Sequence, residues 1–348
     1  DFQVEGAIES YVASEDVTAG YVMTDLQINK LQLVGGVRYE HTDVQYTFNT
    51  AIFDDEGDLD EIIPESGSTS YDFVLPQLNF RYALTDFTNL RGAITASYSR
   101  PNFESIVPEQ EINIQDQEAV IGNANLEPTS ALNADLMVDH YFGTVGVLSG
   151  GLFYKKLDKF IYTQITERDM YEGRNFSSPF EFRQSINGET ANIYGFELAY
   201  QQNLTFLPGA LAGLGVYANY TYTTSSADLE NRAGVGENET IDLPGQASHV
   251  GNFSLSYDIG GFNTRLSANY HGSYINELGE EPAEDEIVNE RLQIDWTASY
   301  RINRNFNVFA EFLNINDAPF ELAQGNENNI IQREFYSWWS RVGLKVNF

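Results

Sequence analysis

Apolar and polar side chains alternate along most of this chain in long runs. Residues 262–271 place Phe262, Leu266, Ala268 and Tyr270 on one face, with Asn263, Arg265, Ser267, Asn269 and His271 on the other. Residues 292–301 repeat the pattern, setting Leu292, Ile294, Trp296, Ala298 and Tyr300 against Gln293, Asp295, Thr297, Ser299 and Arg301. Successive side chains of a strand point to opposite faces, so a period of two predicts strands. Thirteen such strands are expected, and the gaps between them alternate strictly in length. Short gaps fall near 29–30, 85–88, 143–146, 204–212, 259–261 and 302–305, and long ones near 47–70, 100–131, 164–190, 226–248, 276–290 and 316–333. One rim with tight turns and one with long loops is the pattern of a barrel crossing a membrane. The expected fold is all-β, a transmembrane antiparallel up-and-down β-barrel, with residues 1–348 forming part of a single barrel domain.

A soluble β-sandwich also alternates. Two features favour the membrane barrel. Strands of soluble proteins usually run to about 5–6 residues, whereas these runs suit a tilted membrane span of about 9–11 with extensions. Aromatics also gather near strand ends, at Tyr39, Tyr98, Tyr141, Phe142, Tyr270, Tyr300 and Phe348, where interfacial girdles belong. Bacterial single-chain barrels have even strand numbers, and thirteen is odd. With Phe348 at the periplasmic rim, the short turns become periplasmic and the long loops extracellular. The first strand then runs inward from the outside, which leads us to expect further strands upstream.

Composition narrows the function. Tyr (21) and Phe (23) far outnumber Met (3), as aromatic-rich strands require, and no apolar run reaches helix-spanning length. With no cysteine, disulfides, thiol nucleophiles and thiolate metal sites are excluded. The chain starts at Asp1 without a basic and apolar leader, so export implies a removed leader or more N-terminal sequence. The formal charge is -32, and its placement matters more than its size. The six long gaps hold 33 of the 51 acidic residues but 6 of the 19 basic ones, a net -27 on one rim. Nucleic acid is thereby excluded as a partner, since phosphate binding needs clustered Lys and Arg.

From about 71 to 348 the order of short motifs resembles the C-terminal barrel of TonB-dependent receptors. Leu75 to Asn79, with Arg81 and Tyr82, resembles an "LPxLNxRY" strand, and Ser97 to Phe103 follows, resembling an "SRPxF" segment. Gly122 to Pro128 is similar to a "GNPxLxPE" loop, with Ala124 and Thr129 departing from it. Gly151 to Lys155, Phe160-Ile161, Asn192 to Glu197, Asn219 to Tyr222 and Phe312 to Asp317 complete the series. The resemblance implies a barrel of 22 strands, of which this chain carries thirteen. It also implies a plug and a TonB-contacting segment N-terminal to this sequence. The implied activity is active import of a scarce nutrient across the Gram-negative outer membrane. TonB (reached through the plug), outer-membrane lipid and an extracellular nutrient ligand are the implied partners, with no cofactor. Several segments, notably Leu75 to Tyr82, Asn192 to Glu197 and Asn219 to Tyr222, resemble the branch often associated with carbohydrate uptake, which places a saccharide ahead of a ferric siderophore. A non-transporting surface barrel and a passive porin are the alternatives.

Candidate residues follow from position and chemistry. Trp339 is a large aromatic on the polar face near the extracellular end, able to stack on a sugar or an aromatic siderophore; Tyr162, Tyr171 and Phe176 carry a similar, weaker suggestion in or beside the third long gap. Arg265 and Asn269 stand with Arg38, Glu40, Asp295 and Glu311 among polar residues expected to face the lumen. The acidic runs Asp54 to Glu61 and Glu277 to Glu286 lack EF-hand spacing and read as solvated loops in preference to Ca²⁺ sites. No enzyme is indicated. The four histidines (His41, His140, His249, His271) have no zinc spacing, and no GxSxG elbow occurs. Pro101, Pro108 and Pro128 should end ladder pairing, Gly122 and Gly195 should permit close backbone approach, and Asn314 and Asn316 should cap a turn.

Overall fold

A computed structural model describes residues 10–53, 59–108, 110–113, 118–143, 146–171, 174–230, 232 and 238–347. In chain order its strands are β1 (Val12–Ile28), β2 (Leu31–Phe53), β3 (Leu59–Thr85), β4 (Thr88–Ser99), β5 (Gln110–Asn113) and β6 (Glu118–Ile121). They continue as β7 (Thr129–Tyr141), β8 (Gly146–Asp158), β9 (Ile161–Tyr171), β10 (Arg174–Asn187), β11 (Thr190–Asn203), β12 (Leu214–Glu230), β13 (Asn238–Ile241) and β14 (His249–Ile259). The last are β15 (Phe262–His271), β16 (Tyr274–Glu277), β17 (Glu286–Val288), β18 (Arg291–Arg301), β19 (Phe306–Leu313), β20 (Phe320–Gln324), β21 (Ile330–Glu334) and β22 (Trp339–Val346).

Thirteen of these form the wall, in the order β1-β2-β3-β4-β7-β8-β11-β12-β14-β15-β18-β19-β22, with β13 added beside β12. Sequential neighbours pair antiparallel, as an up-and-down wall requires. Among the described residues, β1 and β22 each pair on one side only. Residues with positive φ make the tight reversals possible, notably Asn29 at 51° and the Gly260-Gly261 pair at 58° and 95°. Pro101, Pro108 and Pro128 all lie outside strands, flanking a short helix at Phe103–Ile106.

The loop rim is more ordered than the gap pattern implies. β2 and β3 continue past residue 47 as a paired hairpin up to Phe53↔Leu59, because the alternation persists through Val44, Tyr46 and Phe48, which are buried. Two further four-stranded sheets stand on this rim, β5-β6-β10-β9 and β16-β17-β20-β21. The run 54–58 and Phe348 lie outside the described residues.

Burial is inverted relative to a soluble domain. On the wall, one face exposes Leu132, Leu136, Leu152, Leu198, Phe253, Leu255 and Leu266. Such a stripe is costly in water and favourable against lipid. An aromatic band crosses the same face, with Phe196 beside Tyr220 and Tyr222, Tyr222 beside His249, and Trp296 stacked on Phe312 at 5.3 Å. Tyr98 departs from this girdle: it stacks on Phe73 at 4.0 Å, and its hydroxyl donates to Glu40. The buried apolar clusters sit at the loop end. One joins Val44, Tyr46 and Phe48 to Ile106, Val107 and Leu126, another joins Phe160, Ala191, Ala227, Leu229 and Leu278, and a third joins Ala119, Ile121 and Phe182. Each fully buried Leu or Phe contributes about 1.5–3 kcal/mol, so the loops are packed onto the barrel mouth.

Glycine and aromatic residues pin the wall register. Phe80 faces Gly92, Phe153 faces Gly195, and Phe309 faces Gly343 across paired strands. At Gly92 and Gly343 the ring occupies the space where a Cβ would stand, and at Gly195 the Tyr222 carbonyl and the Phe153 ring both crowd it.

Candidate functional site

Where β4 ends, Pro101 cannot continue the ladder and the chain turns in over the barrel mouth. Gly122 lies against the Val107 carbonyl where no Cβ fits. Asn123 then accepts no freedom: its backbone N–H donates to Ser105 O at 2.7 Å and its side-chain amide donates to Ser185 O at 3.0 Å. Farther on, Asn187 Oδ1 accepts the Glu127 N–H at 2.9 Å. These bonds fasten the 100–131 segment to β10. Between this segment, the start of β9, Leu243-Pro244 and the end of β16 lies a cavity of about 540 Å³.

The cavity lining is mixed. Ser99, Asn102, Tyr162, Thr163 and Asn276 bring hydroxyls and amides, while Leu157, Phe160, Ile161, Leu243, Pro244 and Leu278 bring apolar surface. Two charged residues line it, Arg100 and Glu277. Arg100 pairs with Glu40 at 2.6 Å and Glu15 at 3.0 Å, and donates to Tyr98 Oη at 2.7 Å. Glu277 is paired with Arg183, which also holds Glu118 at 2.6 Å and Glu181 at 2.7 Å. Burial works against the Arg183 charge, but Glu277, Glu181 and Glu118 outweigh it and raise the pKa. A third cation, Arg232, is almost fully buried between Asp285 and Glu239. The acidic run from Glu277 to Glu286 is therefore partly neutralised by arginines from other segments, and is more than a solvated loop.

Below the mouth, the polar face of the wall carries a ladder of neutral amides. Asn219, Asn252, Asn269 and Gln293 stand opposite one another on β12, β14, β15 and β18. Asn252 donates to Asn219 Oδ1 at 2.9 Å, while Asn269 and Gln293 donate to Asp295 at 3.3 Å and 2.8 Å. Glu311 accepts from Arg341 at 2.7 Å, and Arg38 donates to Glu40 at 2.6 Å.

The structure does not gather the sequence candidates into one place. Tyr162 lines the 540 Å³ cavity. Asn269 belongs to the amide ladder. Arg265 lines a separate cavity of about 290 Å³ with Gln201, Tyr217 and Ser254, and has no ion-pair partner among the described residues. Trp339 begins β22 opposite Leu313, half exposed, two residues before Arg341 and away from both cavities. Tyr171 and Phe176 have side chains outside the described residues. Sequence reasoning named Glu40 as lumen-facing but missed Arg100 as a cavity residue, together with its second partner Glu15. Its one available signal was its position immediately before Pro101, where a strand residue must turn from wall to loop.

The turn chemistry expected at the end of β19 is present. Asn314 is buried with φ 52°; its Oδ1 accepts Ala318 N–H at 2.9 Å, and its Nδ2 donates to Ser337 O at 3.1 Å. Asn316 accepts from Ile294 N–H at 2.9 Å.

The family described as TonB dependent receptor-like, beta-barrel has a model that matches residues 4–315. Solved structures with the same architecture include the ferric-catecholate import receptor Fiu from K12 E. coli, at 17% identity and a TM-score of 0.69, covering 97% of this chain and 45% of that one. The ferric yersiniabactin uptake receptor FyuA from Yersinia pestis matches at 17% identity and 0.66, over 97% and 46%. The copper transporter OprC matches at 15% identity and 0.69, over 97% and 49%. The chain thus spans about half the length of these structures, and at such identities the likeness is one of fold. No curated protein sequence matches significantly.

Proposed function

Since the chain belongs to the TonB-dependent receptor-like β-barrel family, we propose that it is the barrel part of a receptor that imports a scarce nutrient in a TonB-dependent step. Barrels of this family reside in the outer membrane of Gram-negative bacteria, and this chain is one of them. In the proposed mechanism the long-loop rim faces outward and the mouth cavity captures the nutrient. Force transmitted through TonB then opens a passage along the amide-lined wall. The energy-coupling segment belongs to a plug outside these residues. No bond of the nutrient is made or broken.

Within that reading the nutrient is a saccharide and not an anionic ferric complex. The carrying observation is the pairing of the cavity's own cation: Arg100 is matched by Glu15 and Glu40. The -27 on the long gaps adds to this, but exposed charges are screened beyond about 8 Å at physiological salt, so the local pairing is the stronger support for the reading. Hydroxyl and amide groups beside apolar side chains suit a ligand with hydroxyls on its edges and C–H groups on its faces. A gene deletion in the source bacterium tests this. Growth on one oligosaccharide class as sole carbon source should fail while growth under iron limitation is normal. The reverse pattern would rule out the saccharide.

A further inference from the structure

Arg38, Arg100, Glu15 and Glu40 form a four-charge cluster that sums to zero beside the mouth cavity. Glu40 is the hub: it is buried, one carboxylate oxygen accepts from Arg38 at 2.6 Å, and the other accepts from Arg100 at 2.6 Å and from Tyr98. Glu15, from the neighbouring β1, supplies the second counter-charge at 3.0 Å. Arg100 lines the cavity with 33% of its side chain exposed, so it is the cluster's only member in contact with that space. An arginine so placed is a natural receptor for carboxylate, sulfonate or phosphate oxygens, which its planar fork binds in pairs. Here its two terminal nitrogens are already engaged by two carboxylates and a phenol, while its Nε–H is buried with no partner among the described residues. Arg183, the partner of the cavity's other charged residue Glu277, is engaged by three carboxylates in all.

We propose that Glu15 and Glu40 are specificity-determining residues: by engaging Arg100 they mask the cavity's cation, so the site rejects anions and admits uncharged polyhydroxylated ligands. This rests on the mouth cavity being the capture site of the imported nutrient. Removing either carboxylate leaves the cluster with a net positive charge and frees donors of Arg100 toward the cavity. Arginine is the residue that gains function, and the glutamates are what withhold it.

The test uses the full-length receptor in detergent with pyranine, a small aromatic trisulfonate, its binding followed by fluorescence anisotropy at low ionic strength. Wild type should bind it weakly. Glu15→Gln and Glu40→Gln should each bind about tenfold more tightly, in line with hydrogen bonds to a charged group. The Glu15→Gln/Arg100→Gln double variant should return to the wild-type value. Glu15 makes one ion pair and is partly exposed, so its variant keeps the test decisive if the Glu40 variant does not fold. No gain in Glu15→Gln, a gain that survives loss of Arg100, or tight wild-type binding abolished by Arg100→Gln would each overturn masking. The import reading fails separately, through the growth experiment, so the two failures are distinguishable.

Discussion

At the scale of single residues, the wall is organised by what glycine leaves out. Gly343 on β22 lies beneath the Phe309 ring, and a Cβ there would collide with it. Gly92 and Gly195 repeat the arrangement under Phe80 and Phe153. Because each glycine stands directly opposite its aromatic partner, a slip of one residue would move the ring to the other face of the sheet. Gly343→Ala should therefore destabilise the barrel by about 1–3 kcal/mol through overpacking, and Phe309→Leu should restore part of the loss. Gly20 on β1 is the control, since nothing lies within 4 Å of its would-be Cβ. Denaturant unfolding of the full-length receptor in vesicles reads the difference. Equal effects at positions 343 and 20 would mean that the pairing does not pin the register.

Secondary-structure elements divide into a wall and a set of rim sheets, and different forces hold the two. β6 and β10 pair in parallel, which brings Glu118 directly opposite Glu181. Like charges so placed repel. Arg183, two residues along β10, bonds both and reaches across to Glu277. Its pKa, raised by those carboxylates against burial, keeps it charged throughout the working pH range, so the junction has no arginine titration to lose. Arg183→Met should leave two facing carboxylates uncompensated. Hydrogen exchange at 118–121 and 181–184 should then accelerate roughly tenfold or more, with the wall strands unchanged. Unaltered exchange would show that the Ala119–Ile121–Phe182 cluster holds the sheet alone. The wall elements were legible in the sequence because period two persists over ten or more residues between turn-forming residues. Those of the rim were not. β5 and β6 have four residues each, and β10, the parallel partner of β6, lies some sixty positions away, so no local period marks that pairing. The 47–70 gap was misjudged because acidic and small residues broke the pattern in β3 while Val44, Tyr46 and Phe48 sustained it in β2.

For the whole molecule, two faces with opposite requirements explain both what sequence revealed and what it hid. The up-and-down wall, with its tight reversals and long loops, was readable from alternation and gap length, since both are sums over many residues. The site was less readable. Tyr162, which lines the mouth cavity, was named from its position, but the ion pairing of Arg100 joins residues 15, 40 and 100, which only the wall register brings together. The same two-faced wall gives a sharp contrast between neighbouring substitutions. Leu198 on β11 is exposed on the apolar face, and Gln201, three residues along the same strand, is on the polar face lining the Arg265 cavity. A lipid-facing arginine near the bilayer midplane costs about 2–4 kcal/mol, whereas a lumen-facing one has water available. Leu198→Arg should therefore lower the stability of the vesicle-inserted full-length receptor by about that amount. Gln201→Arg should leave stability nearly unchanged. The second variant does place another cation beside Arg265, so its cost is greatest at low ionic strength and fades as salt screens the pair. If Leu198→Arg were tolerated as well as Gln201→Arg, the exposed apolar face would not be meeting lipid, and the assignment of inside and outside would have to be reversed.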